Sequence, residues 1–279
     1  MEPTIQYIEK ELSGFYPAIE VRGFIRLIFE HVCGMNYTDQ ILRRGEEIDS
    51  ASKKKIKEIV QRLKNYEPLQ YILGETEFFG LNLKLAPGVL IPRPETEELV
   101  KWIIDSAKHT TPAILDIGTG SGCIALALKE EFKNAEVLAA DYSEKALEIA
   151  NENARGNQLN ISFLQADILC WQKYNWNHFD IIVSNPPYVR ELEKEAMFPN
   201  VLAYEPGEAL FVSNDDPLVF YRQIGKFAQI YLNPGGDLYF EINEHLGSET
   251  INLMHSLNFR NIILKKDLNG KERMLRCRR

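Results

Sequence analysis

The sequence lacks the features that are typical of secreted, metal-binding and membrane-spanning proteins. Its four cysteines form no CxxC pair and have no histidine at metal-ligand spacing; they are Cys33, Cys123, Cys170 and Cys277. No apolar run approaches the roughly 20 residues that span a bilayer. The first residues, MEPTIQYIEKEL, are acidic and amphipathic, whereas a signal peptide begins basic and then turns apolar. We therefore expect a cytoplasmic protein with reduced thiols, no disulfide framework, no metal site and no membrane insertion.

Positive charge is also scarce. The chain carries 32 lysines and arginines against 40 aspartates and glutamates, a net charge of −8. The first 74 residues are balanced, so the whole deficit lies in residues 75–279. A negative net charge disfavours binding to nucleic-acid phosphates, and it favours a cationic ligand for residues 75–279. The cluster of basic residues from Lys265 to Arg279 is consistent with a solvated edge or with a partner contact.

The periodicity of apolar residues divides the chain into three parts. Residues 1–74 show helical spacing, as in the segment between Pro17 and Gly34, and predict a small helical domain. Residues 75–91, ETEFFGLNLKLAPGVLI, predict a β-hairpin linker. Strands and helices alternate in residues 92–279, which predicts an α/β domain with a mostly parallel sheet. The seven predicted strands are 113–117, 136–140, 161–165, 179–183, 237–242, 261–264 and 272–277. Because only KKDLNGK joins the last two, they should pair antiparallel.

A glycine-rich turn follows the first strand of this domain. The segment runs Asp116-Ile117-Gly118-Thr119-Gly120-Ser121-Gly122, and a helix is predicted directly after it. Glycines let the backbone approach a ligand at the carboxyl end of a strand, where open α/β sheets bind. The third glycine of a dinucleotide fingerprint would stand at Cys123, so a pyrophosphate is disfavoured. A purely structural tight turn fits the same residues.

Acidic residues end the next two strands. Asp141 can accept both hydroxyl hydrogens of a ribose, although an Asp-Tyr-Ser helix cap is the alternative. Asp167 ends the third strand, where an ordinary loop aspartate is equally consistent. The next residue, Ile168, is placed to cover one face of an adenine.

The tetrapeptide Asn185-Pro186-Pro187-Tyr188 follows the fourth predicted strand. The prolines disfavour helix in the residues before them, so Asn185 and Pro186 are held extended. The Asn185 side-chain oxygen and the Pro186 carbonyl then form two fixed acceptors, with the Tyr188 ring beside them. This arrangement suits a planar nitrogen that carries two hydrogens, as in a carboxamide or an aromatic amine. A proline-rich turn without function is the alternative.

Together these residues resemble a class I S-adenosylmethionine-dependent methyltransferase that acts on nitrogen. With EPLQYILGETEFFG (67–80) and LIPRPETEELV (90–100), the chain resembles the HemK/PrmC family, the protein-(glutamine-N5) methyltransferases of peptide chain release factors. The resemblance implies a Rossmann-like domain with a mostly parallel seven-stranded sheet and an antiparallel terminal strand, beside a small N-terminal helical domain. The chain departs from the family at Ser213–Pro217, which replaces a glycine-containing loop, and at Asn243, where a glycine usually follows Glu-Ile.

The resemblance also implies S-adenosyl-L-methionine as cofactor, S-adenosyl-L-homocysteine as product and release factors as protein substrates. The implied cofactor contacts are Gly118, Thr119, Gly120, Ser121, Gly122, Asp141, Ile168 and Asn185. The implied contacts with the glutamine side chain of a Gly-Gly-Gln loop are Asn185, Pro186, Pro187 and Tyr188. Of these, the resemblance implies a catalytic role for Asn185, Pro186 and Tyr188. Pro92–Glu97 would lie near the methionine end of the cofactor, although a proline-initiated helix start fits these residues equally. We expect a monomer that holds no nucleic acid stably.

Two competing functions remain at this point. A DNA adenine or cytosine amino-methyltransferase could use the same tetrapeptide on a flipped base, but the acidic charge opposes it. A non-catalytic module that only docks to a partner is the second alternative.

Overall fold

A computed structural model describes residues 1–108 and 110–279, which form two compact units. The first unit comprises Met1–Gly74 and Phe198–Tyr204, and the second comprises Glu75–Met197 and Glu205–Arg279. The helices are α1 (Glu2–Leu12), α2 (Ala18–Cys33), α3 (Tyr37–Leu42), α4 (Ser50–Lys64), α5 (Leu69–Leu73), α6 (Pro94–Ser106), α7 (Cys123–Glu131), α8 (Glu144–Gly156), α9 (Pro199–Tyr204), α10 (Gly207–Leu210), α11 (Val219–Tyr231) and α12 (Gly247–Ser256). The strands are β1 (Glu75–Phe78), β2 (Leu81–Lys84), β3 (Ala113–Ile117), β4 (Glu136–Asp141), β5 (Ser162–Gln165), β6 (Phe179–Ser184), β7 (Val189–Arg190), β8 (Phe211–Val212), β9 (Leu232–Glu241), β10 (Arg260–Lys266) and β11 (Glu272–Arg278). Two 3-10 helices span Ile168–Lys173 and Glu191–Ala196.

The first unit is helical because its apolar residues fall on one face of each long helix. That face of α2 and α4 is buried with α1 in a common core, whose centre includes Ile8, Ile28, Phe29, Ile56 and Val60. Local signals set the helix ends: Gly34 closes α2 in a left-handed conformation, and the Asp49 side chain accepts from the Ser52 N–H to start α4. The predicted helical character of residues 1–74 is confirmed.

The second unit is built on a seven-stranded sheet with the order β10-β11-β9-β6-β3-β4-β5. The pairs β4–β5, β3–β4, β3–β6 and β6–β9 are parallel. Strand β11 is antiparallel to both β9 and β10 and lies between them. The predicted fold class and the antiparallel pairing of the last two strands are therefore confirmed.

Helices cover both faces of this sheet. Ile181 and Val183 of β6 pack on the face that α6 and α7 cover, whereas Ile182 packs on the face of α11 and α12. Continuous apolar strands of this kind are expected when both faces are buried.

Several predicted boundaries were wrong. Strand β9 begins at Leu232 rather than at residue 237, because Leu232 pairs with Phe179 and the Asn233 side chain donates to Asp180 across an irregular stretch. Strand β5 begins at Ser162, one residue later than predicted. The elements between residues 189 and 212 were not predicted, since each is too short to show a periodicity.

The basic cluster near the C-terminus makes ion pairs and ring contacts within the second unit. Arg278 binds Asp237 through two hydrogen bonds of 2.8 and 2.9 Å, and Lys271 binds Glu244. The cations of Lys265 and Arg276 lie over the Trp102 ring. These contacts give the cluster a structural role at the sheet edge.

Gly122 is required by close packing at the start of α7. Its φ is +84°, and a Cβ atom there would lie 2.5 Å from the Cδ1 of Leu126 and 3.1 Å from the Cβ of Ala150. Gly235 has a similar φ of +80° but nothing within 4 Å of the corresponding position. A comparison of substitutions at the two positions therefore separates the cost of backbone strain from the cost of steric overlap.

We expect Gly122→Ala to lower the free energy of unfolding by about 3 kcal/mol, through left-handed strain plus overpacking. Gly235→Ala should lower it by only about 1 kcal/mol, since strain acts alone there. Urea unfolding of both variants measures the difference. Equal losses would show that the contact with Leu126 and Ala150 relaxes freely.

Candidate active site

The carboxyl ends of β3, β4 and β6 open into a cavity of about 490 Å³ in the second unit. This volume is in the range of small-molecule sites. The cavity brings together nine of the predicted site residues: Gly118, Thr119, Gly120, Ser121, Asp141, Ile168, Asn185, Pro186 and Pro187. Gly122 and Tyr188 are not among the residues that line it. Their predicted contacts with cofactor and substrate stay predictions.

The glycine turn is held by the neighbouring strand β4. The N–H groups of Gly118 and Thr119 donate to the Ala140 carbonyl at 2.8 and 3.1 Å. The Gly120 N–H donates to Oδ2 of Asp141 at 2.8 Å. The turn and the predicted ribose acceptor are therefore parts of one hydrogen-bonded unit.

Asp141 is not the cap of α8, because the Ser143 hydroxyl accepts from the Ala146 N–H there. Each Asp141 oxygen accepts one backbone N–H, Oδ2 from Gly120 and Oδ1 from Ser143. A carboxylate oxygen has capacity for a further hydrogen bond, so two donors from a ligand can still be accepted. Burial raises the pKa of Asp141, while the backbone N–H groups of Gly120 and Ser143 oppose the rise.

Asp116 is a second buried carboxyl at the end of β3. The Thr119 hydroxyl donates to its Oδ2 at 2.6 Å. Complete burial raises the pKa of Asp116 to about 7, and the Thr119 hydrogen bond acts in the opposite direction. Asp116 lies beneath the turn and is not one of the residues that line the cavity.

Asp167 and Ile168 take separate roles. The Asp167 side chain caps the following 3-10 helix by accepting from the Leu169 N–H at 2.8 Å. Ile168 is buried and lines the cavity, where it offers an apolar wall.

Asn185 follows Ser184, the last residue of β6. The Ser184 hydroxyl donates to the Ile117 carbonyl at 2.7 Å, which ties this strand end to the start of the glycine turn. The Asn185 Nδ2 donates to the Thr96 Oγ1 at 3.4 Å. Asn185, Pro186 and Pro187 all line the cavity.

Tyr188 is anchored at both ends. Its hydroxyl donates to Oε1 of the buried Glu241 at 2.9 Å, and its carbonyl accepts from the Asn243 side chain at 3.0 Å. Burial and the negative charge of Glu241 raise the pKa of Tyr188, whereas the charge of Arg273 lowers it. Tyr188 is therefore held as a neutral phenol.

No role was predicted from the sequence for Glu205 or Asn153. Glu205, which is buried, accepts from the Arg93 guanidinium at 2.5 Å and from the Ile91 N–H at 3.3 Å, so it fixes the segment before α6 along the cavity. The buried Asn153 side chain bonds both backbone groups of Lys84 and the Ser121 carbonyl, which joins the hairpin to the glycine turn.

Across residues 1–108 and 110–279, no group of three or more histidine, cysteine, aspartate or glutamate side chains could hold a metal ion. Within the same range, no helix is both long and apolar enough to cross a membrane.

Two family models match the chain. A methyltransferase small domain matches residues 96–212, and a PrmC N-terminal domain matches residues 5–74. A release factor glutamine methyltransferase of Flavobacterium psychrophilum is 46% identical over 95% of this chain and 94% of its own length. The protein of the same name from Bacteroides thetaiotaomicron is 42% identical over the full length of both chains.

A solved structure shares the fold at low sequence identity. It is a 16S rRNA N2 G1207 methyltransferase of T. thermophilus in complex with AdoMet and guanosine. Its TM-score is 0.54 and its identity 20%, over 74% of this chain and 49% of that one. With relatives that match nearly end to end, this chain belongs to the family of release factor glutamine methyltransferases.

Proposed function

We propose that this protein transfers a methyl group from S-adenosyl-L-methionine to the side-chain amide nitrogen of the glutamine in the Gly-Gly-Gln motif of peptide chain release factors. The observation that carries the proposal is the single cavity shared by the glycine turn, Asp141 and the Asn185–Pro187 segment. Its relatives are named for the same reaction. The proposed organisation is a helical domain at 1–74, a hairpin linker at 75–91 and a methyltransferase domain at 92–279.

The lining residues fit S-adenosylmethionine. Asp141 has remaining acceptor capacity for ribose hydroxyls, and Ile168 supplies an apolar wall for a base. Arg93 lies in the Pro92–Glu97 segment that we place near the methionine end, where a guanidinium suits a carboxylate. The surplus of acidic residues in this part of the chain suits a positively charged sulfur. When bound, this cofactor supplies an electrophilic methyl group.

The contribution of the protein is positioning and electrostatics. An amide nitrogen is a poor nucleophile because its lone pair is delocalised into the carbonyl. Acceptors at Asn185 Oδ1 and the Pro186 carbonyl would hold both N–H bonds of the substrate amide and make its nitrogen more electron-rich. Both contacts would strengthen as the nitrogen becomes pyramidal and positively charged, so they stabilise the transition state more than the ground state. No general base is assigned, since the product nitrogen is acidic until it loses a proton.

Methylation of purified release factor tests this proposal directly. The protein, S-adenosylmethionine and release factor should yield a Gly-Gly-Gln peptide with the added mass of one methyl group. DNA offered in place of release factor should remain unmodified. Methylation of DNA alone would support the amino-methyltransferase alternative, and cofactor binding without any transfer would support the non-catalytic module.

Asn185→Ala should lower the rate of methyl transfer by roughly a hundredfold, because a hydrogen bond in a dry site stabilises the transition state by about 3 kcal/mol. Peptide mass spectrometry over time measures the rate. The exposed Asn160 lies outside the cavity, so Asn160→Ala is a matched control that should keep the wild-type rate. A loss of less than threefold in Asn185→Ala would exclude the proposed role.

Asp141→Ala should weaken S-adenosylmethionine binding at least tenfold, because it removes both the ribose acceptor and the partner of the Gly120 N–H. Isothermal calorimetry measures the affinity. Asp105→Ala removes a carboxylate from an exposed pair with Lys101 and should leave the affinity unchanged. Equal affinities for wild type and Asp141→Ala would remove this residue from the cofactor site.

A further inference from the structure

Glu241 is a buried carboxylate that the proposed reaction does not use. It ends β9, next to β6, and is 1% exposed. Two hydroxyl groups donate to it: Thr96 Oγ1 to Oε2 at 2.7 Å, and the Tyr188 hydroxyl to Oε1 at 2.9 Å. Thr96 and Tyr188 are 92 residues apart in the sequence, and only the fold brings them to one acceptor.

The direction of these hydrogen bonds determines what Thr96 can offer to Asn185. An ionised carboxylate only accepts, so the single hydroxyl hydrogen of Thr96 is committed to Glu241. The Thr96 oxygen can then only accept from its other neighbour. That neighbour is Nδ2 of Asn185, 3.4 Å away.

A side-chain amide has its donor nitrogen and its acceptor oxygen on opposite sides. With the nitrogen of Asn185 directed at Thr96, the oxygen is directed away from Thr96. If the amide were reversed, its oxygen would face an oxygen that has no hydrogen left to donate. The chain of donors and acceptors thus favours one of the two amide orientations.

We propose that Thr96 and Glu241 are positioning residues that fix the side-chain amide of Asn185, with its oxygen presented to the substrate nitrogen. This inference rests on the proposed function, because it explains why Asn185 offers an acceptor and not a donor to the amide. The same carboxylate orients the Tyr188 hydroxyl, so one buried charge organises both ends of the tetrapeptide.

The surroundings of Glu241 act on its protonation in opposite directions. Burial raises the pKa of Glu241, and the hydrogen bonds from Thr96 and Tyr188 and the positive charge of Arg273 favour its ionised form. The charge of Glu95 acts against ionisation. Arg273 itself lies over the Tyr188 ring, with its guanidinium carbon 5.9 Å from the ring centre.

Thr96→Val is the sharpest test, since valine has nearly the same shape and no hydroxyl. We expect kcat for release factor to fall by about tenfold, the value of roughly one hydrogen bond, with little change in the affinity for S-adenosylmethionine. Thr96→Ser keeps the hydroxyl and should restore most of kcat. Thr250→Val is the matched control, because it removes another buried threonine hydroxyl, bonded to the Leu246 carbonyl in α12, and should cost stability without lowering kcat.

Glu241→Gln gives an independent test without a change of shape. The amide replaces one of the two carboxylate oxygens with an NH2 group that only donates, so Thr96 and Tyr188 cannot both keep their present hydrogen bonds to this side chain. One of the two hydroxyl groups must then reverse, and we expect kcat to fall by about tenfold. A Glu241→Gln enzyme with wild-type kcat would overturn the role of the carboxylate.

Hydrogen exchange of the Asn185 side-chain amide tests the same inference without an activity measurement. In 15N NMR the Nδ2 hydrogen that Asn185 donates to Thr96 should exchange slowly with water in wild type and Thr96→Ser, and about tenfold faster in Thr96→Val. If wild type does not methylate release factor but this pattern holds, the proposed function fails, and only the fixed orientation of the Asn185 amide stands. If wild type is active while Thr96→Val matches Thr96→Ser in both kcat and exchange, the positioning role is wrong.

Discussion

The parallel register of three neighbouring strands is the constraint on which the site depends. Ile117 of β3 lies opposite Ala140 of β4 on one side and Ser184 of β6 on the other. The residues that follow each strand therefore emerge at the same edge of the sheet. A shift of one strand by a single residue would turn its side chains to the opposite face and separate the glycine turn from Asn185.

Side chains that follow the strand ends reinforce this register. The Ser184 hydroxyl bonds the carbonyl of Ile117, and the Asp141 carboxylate holds the N–H of Gly120. Each bond joins the last residue of one strand to the end of the neighbouring strand or to the turn after it. These two bonds hold the strand ends and the glycine turn in place before a ligand binds, which lowers the cost of ordering them.

The sequence predicted the parts of this structure that are encoded locally. Buried strands contain short apolar runs, as at residues 181–183, and the glycine turn and the proline-rich tetrapeptide mark the ends of two of them. The elements between residues 189 and 212 were not predicted, because a two-residue ladder such as β7–β8 has no pattern of its own. The roles of Glu205, Glu241 and Asn153 could not be predicted for another reason. Their partners lie far away in the chain, so only the folded structure shows what they bind.

Tyr188 has a partner that the neighbouring residues in the sequence could not predict. The tetrapeptide predicted the Tyr188 ring beside two acceptors, and the fold in addition bonds the Tyr188 hydroxyl to Glu241. Asparagines at both departures from the family pattern make side-chain hydrogen bonds. Asn243 bonds the Tyr188 carbonyl and Glu193, and Asn214 in the altered loop accepts from the Leu192 N–H.

The Asn153 side chain couples the stability of the hairpin to that of the glycine turn. One amide serves three backbone groups: the N–H and the carbonyl of Lys84, and the carbonyl of Ser121. Truncating it would leave all three without this partner, and the cost would be greatest at the buried Ser121 carbonyl. A substitution at this one position of α8 would therefore loosen the hairpin and the glycine turn at the same time.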